Sequence, residues 1–167
     1  MNIAINGFGR IGRQAFKVAM TKKHIKVVGI NDLTDTKTLA HLLKYDTAYG
    51  KYDLSVEHDD KNLIVDGHKI PVFAEKDPTA LPWGKLKVDV VLECTGRFTN
   101  KEGADMHLKA GAKKVIISAP AKGGDVPTYV RAVNCGRCNK ETSPVINNAS
   151  CTTNSIGPVL AVLSDAF

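Results

Sequence analysis

The sequence predicts an α/β fold with a doubly wound, mainly parallel sheet. Three observations predict it. Short apolar runs of strand length alternate with segments of helical periodicity. A glycine-rich turn joins the first strand to the first helix. The run from Val88 to Leu92 is nearly all apolar, as a strand covered on both faces requires. Strands alternating with helices imply parallel pairing through right-handed crossovers. With 167 residues and 43% hydrophobic content, the chain suffices for one packed domain of ordinary size.

The elements follow in order. Ile3 to Asn6 reads as a short buried strand. Arg10 to Met20 is a helix, with Ile11, Ala15, Val18 and Ala19 at helical spacing. Val27 to Asn31 is the second strand, and Leu39, Leu42 and Leu43 mark a short second helix. Residues 53–73 read as a hairpin-like excursion, because apolar segments at Leu63–Val65 and Ile70–Phe73 flank the turn pair Asp66 and Gly67. The parallel pattern resumes at Val88. Lys101 to Ala110 is a helix stopped by Gly111, and Val115 to Ile117 is a strand closed by Ser118, Ala119 and Pro120. Residues 121–144, rich in Gly, Pro and Cys, form a long irregular connection. Val145 and Ile146 make a last short strand. A helix then opens near Ser150 and runs on through Ile156, Val159, Leu160 and Leu163.

Composition narrows the function classes. The formal charge is +6, but the basic residues are scattered or paired, a solvated surface that mildly attracts anions. No nucleic-acid recognition motif accompanies them. No apolar run approaches the ~20 residues that cross a bilayer. The first ten residues lack the basic flank and cleavage site of a signal peptide, so the sequence predicts a cytoplasmic protein. The four cysteines, Cys94, Cys135, Cys138 and Cys151, do not suggest a disulfide framework in that setting. Cys135 and Cys138 have the spacing of half a zinc site, but no second pair completes it, and no metal is expected. Cys94 reads as buried packing.

Gly7-Phe8-Gly9-Arg10-Ile11-Gly12 forms GxGxxG between a strand and a helix, the context in which that spacing binds a dinucleotide. Gly7 permits the tight turn, Gly9 admits the pyrophosphate to the backbone, and Gly12 lets helix and strand pack closely. The helix N-terminus offers amides to the phosphates. Asp32 lies at the end of the second strand, where a carboxylate accepts from both ribose hydroxyls and repels a 2′-phosphate, favouring NAD over NADP. The plainer alternative makes the glycines turn residues and Asp32 a helix cap.

The segment 147–154, NNASCTTN, is polar and short-chained where an apolar strand meets an apolar helix. Ser and Thr there cap free amides. The same amides favour a nucleophilic thiolate at Cys151, or could bind a substrate anion or polarise a developing oxyanion. Spacing alone leaves open a second reading, a buried cysteine in a capped helix.

The motifs INGFGRIGR (5–13), Asn31-Asp32, HLLKYDTAYGKYD (41–53), ECTGRF (93–98), KKVIISAP (113–120) and NNASCTTN (147–154) together resemble the glyceraldehyde-3-phosphate dehydrogenase family along the whole chain. The resemblance implies a Rossmann-type NAD-binding domain over residues 1–149, with 150–167 as the first helix of a catalytic domain. It implies that Cys151 is the nucleophile that attacks the aldehyde, with hydride passing to NAD and inorganic phosphate releasing an acyl phosphate from the thioester. Ser150 and Thr152 would line the substrate site. Arg10 and Ile11 would present pyrophosphate-loop amides, Asn31 and Asp32 would lie at the ribose, and Lys76 at the adenine side. Thr95 and Gly96 would border the cofactor, and Ser118 would approach its nicotinamide half, whereas for Glu75 and Arg97 a structural role is the alternative. The implied partners are glyceraldehyde 3-phosphate and phosphate, and the implied assembly is a homotetramer. Ser155 stands where many members carry a second cysteine. The family's catalytic domain continues beyond the position of Phe167 and supplies the histidine that activates the cysteine; none of the five histidines here follows Cys151, so the 167-residue chain alone is expected to have little activity. Alternatives are an erythrose-4-phosphate dehydrogenase, a catalytically silent NAD-binding module or half of a split enzyme, and an RNA-binding protein using the basic cleft.

Overall fold

In the computed structural model, residues 1–137 and 143–167 are described. The chain runs β1 (Asn2–Asn6), α1 (Arg10–Met20), β2 (Lys26–Asn31), α2 (Thr36–Lys44), β3 (Tyr45–Asp46), β4 (Gly50–Lys51), β5 (Val56–His58), β6 (Asn62–Val65) and β7 (His68–Phe73). A single 3-10 turn at Pro78–Ala80 leads to β8 (Val90–Glu93), α3 (Lys101–Lys109), β9 (Lys114–Ile117), a second such turn at Cys135–Arg137, β10 (Val145–Asn147) and α4 (Cys151–Ala166).

Eight strands form one sheet in the order β10-β9-β8-β1-β2-β7-β6-β5. From β10 through β7 every pairing is parallel; β7, β6 and β5 pair antiparallel. The doubly wound, mainly parallel Rossmann-type sheet is therefore present. The excursion over 53–73 is a three-stranded meander whose last strand joins the parallel sheet, with Ile30 against Val72 and Asn31 against Phe73. Hairpin β3–β4, with Tyr45 opposite Lys51, was not anticipated from the sequence, because two-residue strands leave no apolar period to read.

Each face of the sheet carries its own core. Alternation along β1 sends Ile3 and Ile5 toward Phe8, Phe16, Leu39 and Leu43, and Ala4 toward Trp83, Val91, Ala104 and Val115. Helices α1 and α2 cover the first face and α3 the second. Helix starts follow capping chemistry: Asp35 accepts from the Thr38 amide at 2.8 Å, Asn100 from Gly103 at 3.1 Å and Ser150 from Thr153 at 3.0 Å. Helix α3 ends at Lys109, with Ala110 as its cap, one residue short of the expected end, and Gly111 follows at φ 102°. Strand β8 starts two residues later than expected and gains Glu93, which pairs with Asn6 and Ile117 on its two sides.

The chain leaves β1 toward β2 and β7, then returns to the other side of β1 with β8. Strand order thus reverses at β1. In open α/β sheets the crevice beyond the carboxyl ends of such strands is where ligands bind.

Candidate functional site

A cleft of about 350 Å³ opens at that crevice, lined by Asn6, Gly7 and Gly9 after β1, Asn31 and Asp32 after β2, Glu75 and Lys76 after β7, and Cys94, Thr95, Arg97 and Phe98 after β8. The glycine pattern is dictated by contact. Gly7 sits at φ 87°, and a Cβ there would lie 2.7 Å from the Thr95 amide nitrogen. A Cβ on Gly12 would lie 2.1 Å from the Gly7 carbonyl oxygen. A Cβ on Gly9 would meet nothing within 4 Å, so this is where the loop faces open space. No side chain caps α1, and its first internal bond is donated by the Arg13 amide to Gly9. The preceding amides of Arg10, Ile11 and Gly12 sit at the helix start, where the dipole favours an anion.

The half-buried Asp32 does not cap α2; Asp35 does. Asp32 Oδ2 accepts from the Phe8 amide at 2.7 Å and Oδ1 from the Thr34 amide at 3.0 Å, which ties the glycine turn to the end of β2. Each oxygen retains acceptor capacity toward the cleft.

Beneath the cleft lies a buried polar chain. Asn31 accepts from the Glu75 amide and donates to the Glu75 carbonyl, both at 2.9 Å, and to Asn6 Oδ1 at 2.7 Å. Asn6 Nδ2 donates to Glu93 Oε2 at 2.5 Å. The other Glu93 oxygen accepts from the Thr95 amide at 2.8 Å and from the Thr95 hydroxyl. Trp83 Nε1, which can only donate, reaches His107 Nδ1 at 3.0 Å. His107 Nδ1 is therefore an acceptor, Nε2 carries the proton, and Nε2 donates to Glu93 Oε2 at 3.0 Å. The Asn6–His107 approach of 3.3 Å is then a contact between two donors. Neither Asn6 nor Glu93 was legible as a site residue from the sequence, although Glu93 stands within the motif ECTGRF. His107 shares the buried face of α3 with Gly103 and Ala104, a helical spacing that marks it as a core histidine. The other four histidines are exposed.

Cys94 is mostly buried, and burial pushes its thiol up to about 11, partly opposed by its hydrogen bond with Ser118. Ser118, half-buried, follows β9 and donates its amide to the Glu93 carbonyl at 3.0 Å. Gly96, at φ 72°, follows Thr95 out of the cleft wall. Neither Ser118 nor Cys151 lines the cleft around Asp32.

Cys151 is the first residue of α4 and is exposed among these 167 residues. Around it Ser150 Oγ lies 2.9 Å from the Thr152 hydroxyl and 2.7 Å from that of Thr153. Because β1, β2, β8, β9 and β10 are parallel, Cys151 emerges on the same sheet edge as the cleft. Strand β10 is three positions from β1, so at the usual strand spacing roughly 14 Å separate the two strand ends. Cys138 lies outside the described residues. Among the described residues no group of three His, Cys, Asp or Glu side chains could hold a metal ion, and no helix is long and apolar enough to cross a membrane.

A doubly wound sheet, an open glycine turn before an uncapped helix, and an acidic residue closing the next strand define a dinucleotide-binding α/β domain. Residues 1–101 match the family described as glyceraldehyde 3-phosphate dehydrogenase, NAD binding domain. The chain belongs to the glyceraldehyde-3-phosphate dehydrogenase family, and NAD is the cofactor of this domain. It is 53% identical over 167 residues to the glyceraldehyde-3-phosphate dehydrogenase of Geobacillus stearothermophilus, covering 100% of this chain and 50% of that one. It is 56% identical to that of Thermotoga maritima (99% and 50%) and 50% identical to that of Mycoplasma pneumoniae (100% and 49%). The chain thus spans about half the length of the curated relatives it matches.

Proposed function

We propose that this chain is the cofactor-binding and nucleophile-bearing part of a phosphorying NAD-dependent glyceraldehyde-3-phosphate dehydrogenase. The observation that carries the reading is the exposed Cys151, at the start of α4, on the sheet edge that also holds the dinucleotide cleft. Residues 1–149 form the cofactor domain. Residues 150–167 begin the catalytic domain, and the absence of any buried residue in α4 supports that division.

In this reading the turn amides of Gly9, Arg10 and Ile11 take the pyrophosphate, Gly7 and Gly12 keep the turn close to β1, and Asp32 takes the adenosine ribose. Asn31 and Lys76 border the adenosine side, Thr95 and Gly96 the middle of the cleft, and Ser118 the nicotinamide side. Bound NAD supplies the hydride acceptor. Cys151, as thiolate, attacks the aldehyde carbon of glyceraldehyde 3-phosphate, forming a C–S bond while the carbonyl π pair moves onto oxygen to give the thiohemiacetal anion. The first-turn amides of α4 stabilise the oxyanion, and the Ser150 and Thr152 hydroxyls orient the substrate. Loss of hydride leaves a thioester. An oxygen of inorganic phosphate attacks it, the C–S bond breaks, and 1,3-bisphosphoglycerate leaves Cys151 as thiolate.

The relatives' additional length suits a second domain that completes this site, within a cytoplasmic homotetramer. The test is reconstitution. The chain joined to a relative's downstream half should reduce NAD with glyceraldehyde 3-phosphate and phosphate, prefer this aldehyde to erythrose 4-phosphate, and lose turnover with Cys151→Ser. Turnover that persists in Cys151→Ser would refute the assignment.

A further inference from the structure

Strand β10 does not run straight into α4. Between them Ala149 takes the left-handed conformation, φ 57°, which a residue with a side chain adopts only under constraint. The constraint comes from Asn147, the last residue of β10, which is 1% exposed. Its Oδ1 accepts from the Ala149 amide at 2.9 Å. Its Nδ2 donates to the Val126 carbonyl at 3.1 Å, the Pro127 carbonyl at 3.3 Å and Thr128 Oγ1 at 2.9 Å. Its backbone is held too, accepting from the Tyr129 amide and donating to Pro127, both at 3.0 Å. One side chain thus clamps the turn before α4 to the segment 126–129. After the turn, Ser150 is extended (φ −94°, ψ 167°) and caps the helix, while Asn154 Nδ2 reaches back to the Asn148 carbonyl at 2.7 Å and the Ser150 carbonyl at 2.9 Å.

We propose that Asn147 is a positioning residue for Cys151: its amide oxygen holds Ala149 in the left-handed turn that directs the capped start of α4, and with it the thiol. The proposal rests on the reading of Cys151 as nucleophile. Without that acceptor, the bond made to Ala149 itself is lost, the bonds from Asn154 to the Asn148 and Ser150 carbonyls hold only its neighbours, and Ala149 relaxes toward negative φ. Ser150 and Cys151 then swing away together, and the capped start of α4 no longer holds the thiol in place. Glycine adopts the left-handed conformation freely, so a glycine at position 149 supplies by backbone preference what Asn147 supplies by hydrogen bonding. A residue that served only to fill the 126–129 contact would not be replaced in this way.

The test is the rate of Cys151 alkylation by iodoacetamide in the full chain, read by peptide mass spectrometry. The exposed Cys135 is the internal reference, and NAD affinity and the urea midpoint are measured alongside. In the parent, Cys151 should react faster than Cys135. Asn147→Ala should lower the Cys151 to Cys135 ratio on the order of tenfold, the scale of a misplaced reacting group, and leave NAD affinity unchanged. Adding Ala149→Gly should restore most of the ratio even though the bonds to Val126, Pro127 and Thr128 stay lost. An unchanged ratio in Asn147→Ala, or no recovery in the double variant, would overturn the proposal. If Asn147→Ala alone does not fold, the double variant decides: a ratio near the parent's supports positioning, and a low ratio or failure to fold makes Asn147 a core residue only. Cys151 reacting no faster than Cys135 in the parent would count instead against the nucleophile reading itself.

Discussion

Two cysteines in this chain are separated in character by their surroundings. Cys94 lies against the core with its thiol pushed up to about 11 by burial, whereas Cys151 stands exposed at a helix start. A raised value keeps Cys94 in the protonated, unreactive form throughout the neutral range. Iodoacetamide at pH 8 should therefore label Cys151 and spare Cys94, with Cys94 labelling appearing only as the pH climbs toward 11. Equal labelling of both at pH 8 would contradict the assignment. Glu93 is the other residue whose role is set by its partners. It receives Asn6, His107 and both donors of Thr95. Glu93→Ala would strand those donors in a dry interior and should cost about 3 kcal/mol or more, read as a drop in the urea midpoint. The motif ECTGRF drew attention to this stretch, but the charge of a lone acidic side chain at a strand end says nothing of burial. Only the convergence of β1, α3 and the turn after β8 assembles its partners.

At the scale of elements, the junction of β1 with α1 shows two glycines with opposite duties. Gly12 is fixed by the backbone it touches, and Gly9 faces open space. Gly12→Ala should push α1 off β1, costing about 3 kcal/mol or more of stability and abolishing NAD binding. Gly9→Ala should change stability by no more than about 1 kcal/mol, yet weaken NAD at least about tenfold. Calorimetric titration with NAD and parallel urea melts separate the two cases. This division was legible in the sequence, because a glycine pattern between a strand and a helix has few solutions. The ends of α3 and of the strands read from the sequence were legible to within one or two residues, whereas β5 was not read as a strand. Hairpin β3–β4 was not legible, since its four residues are mostly exposed and show no apolar rhythm; Asp46 is tied to α1 by Gln14, which donates to it at 3.3 Å. Ala149 was illegible for a related reason. Nothing in an alanine announces a left-handed turn, which here comes from the Asn147 side chain.

At the scale of the whole molecule, the two cores on either side of the sheet are closed, while α4 is not. Ile156, Val159, Leu160, Val162 and Leu163 are all exposed along it. An apolar surface of this kind seeks a partner. The isolated 167-residue chain should associate as its concentration rises, by sedimentation velocity, and charged substitutions at Val159 and Leu160 should return it to a monomer. A monodisperse parent at high concentration would show that the exposed face is tolerated in water. The sequence displayed α4's apolar residues clearly, and the parallel order of the sheet explains why they matter: the same strand edge presents the cofactor cleft at one end and this uncovered helix at the other.

The cleft around Gly9 and Asp32 should bind NAD in this 167-residue chain. Isothermal titration of the chain with NAD and with NADP, beside an Asp32→Ala variant, tests it most directly. One NAD per chain, at least about tenfold tighter than NADP and weakened about tenfold or more by Asp32→Ala, is the expected result. No saturable binding of NAD, or equal affinity for the two dinucleotides with Asp32 intact, would contradict it.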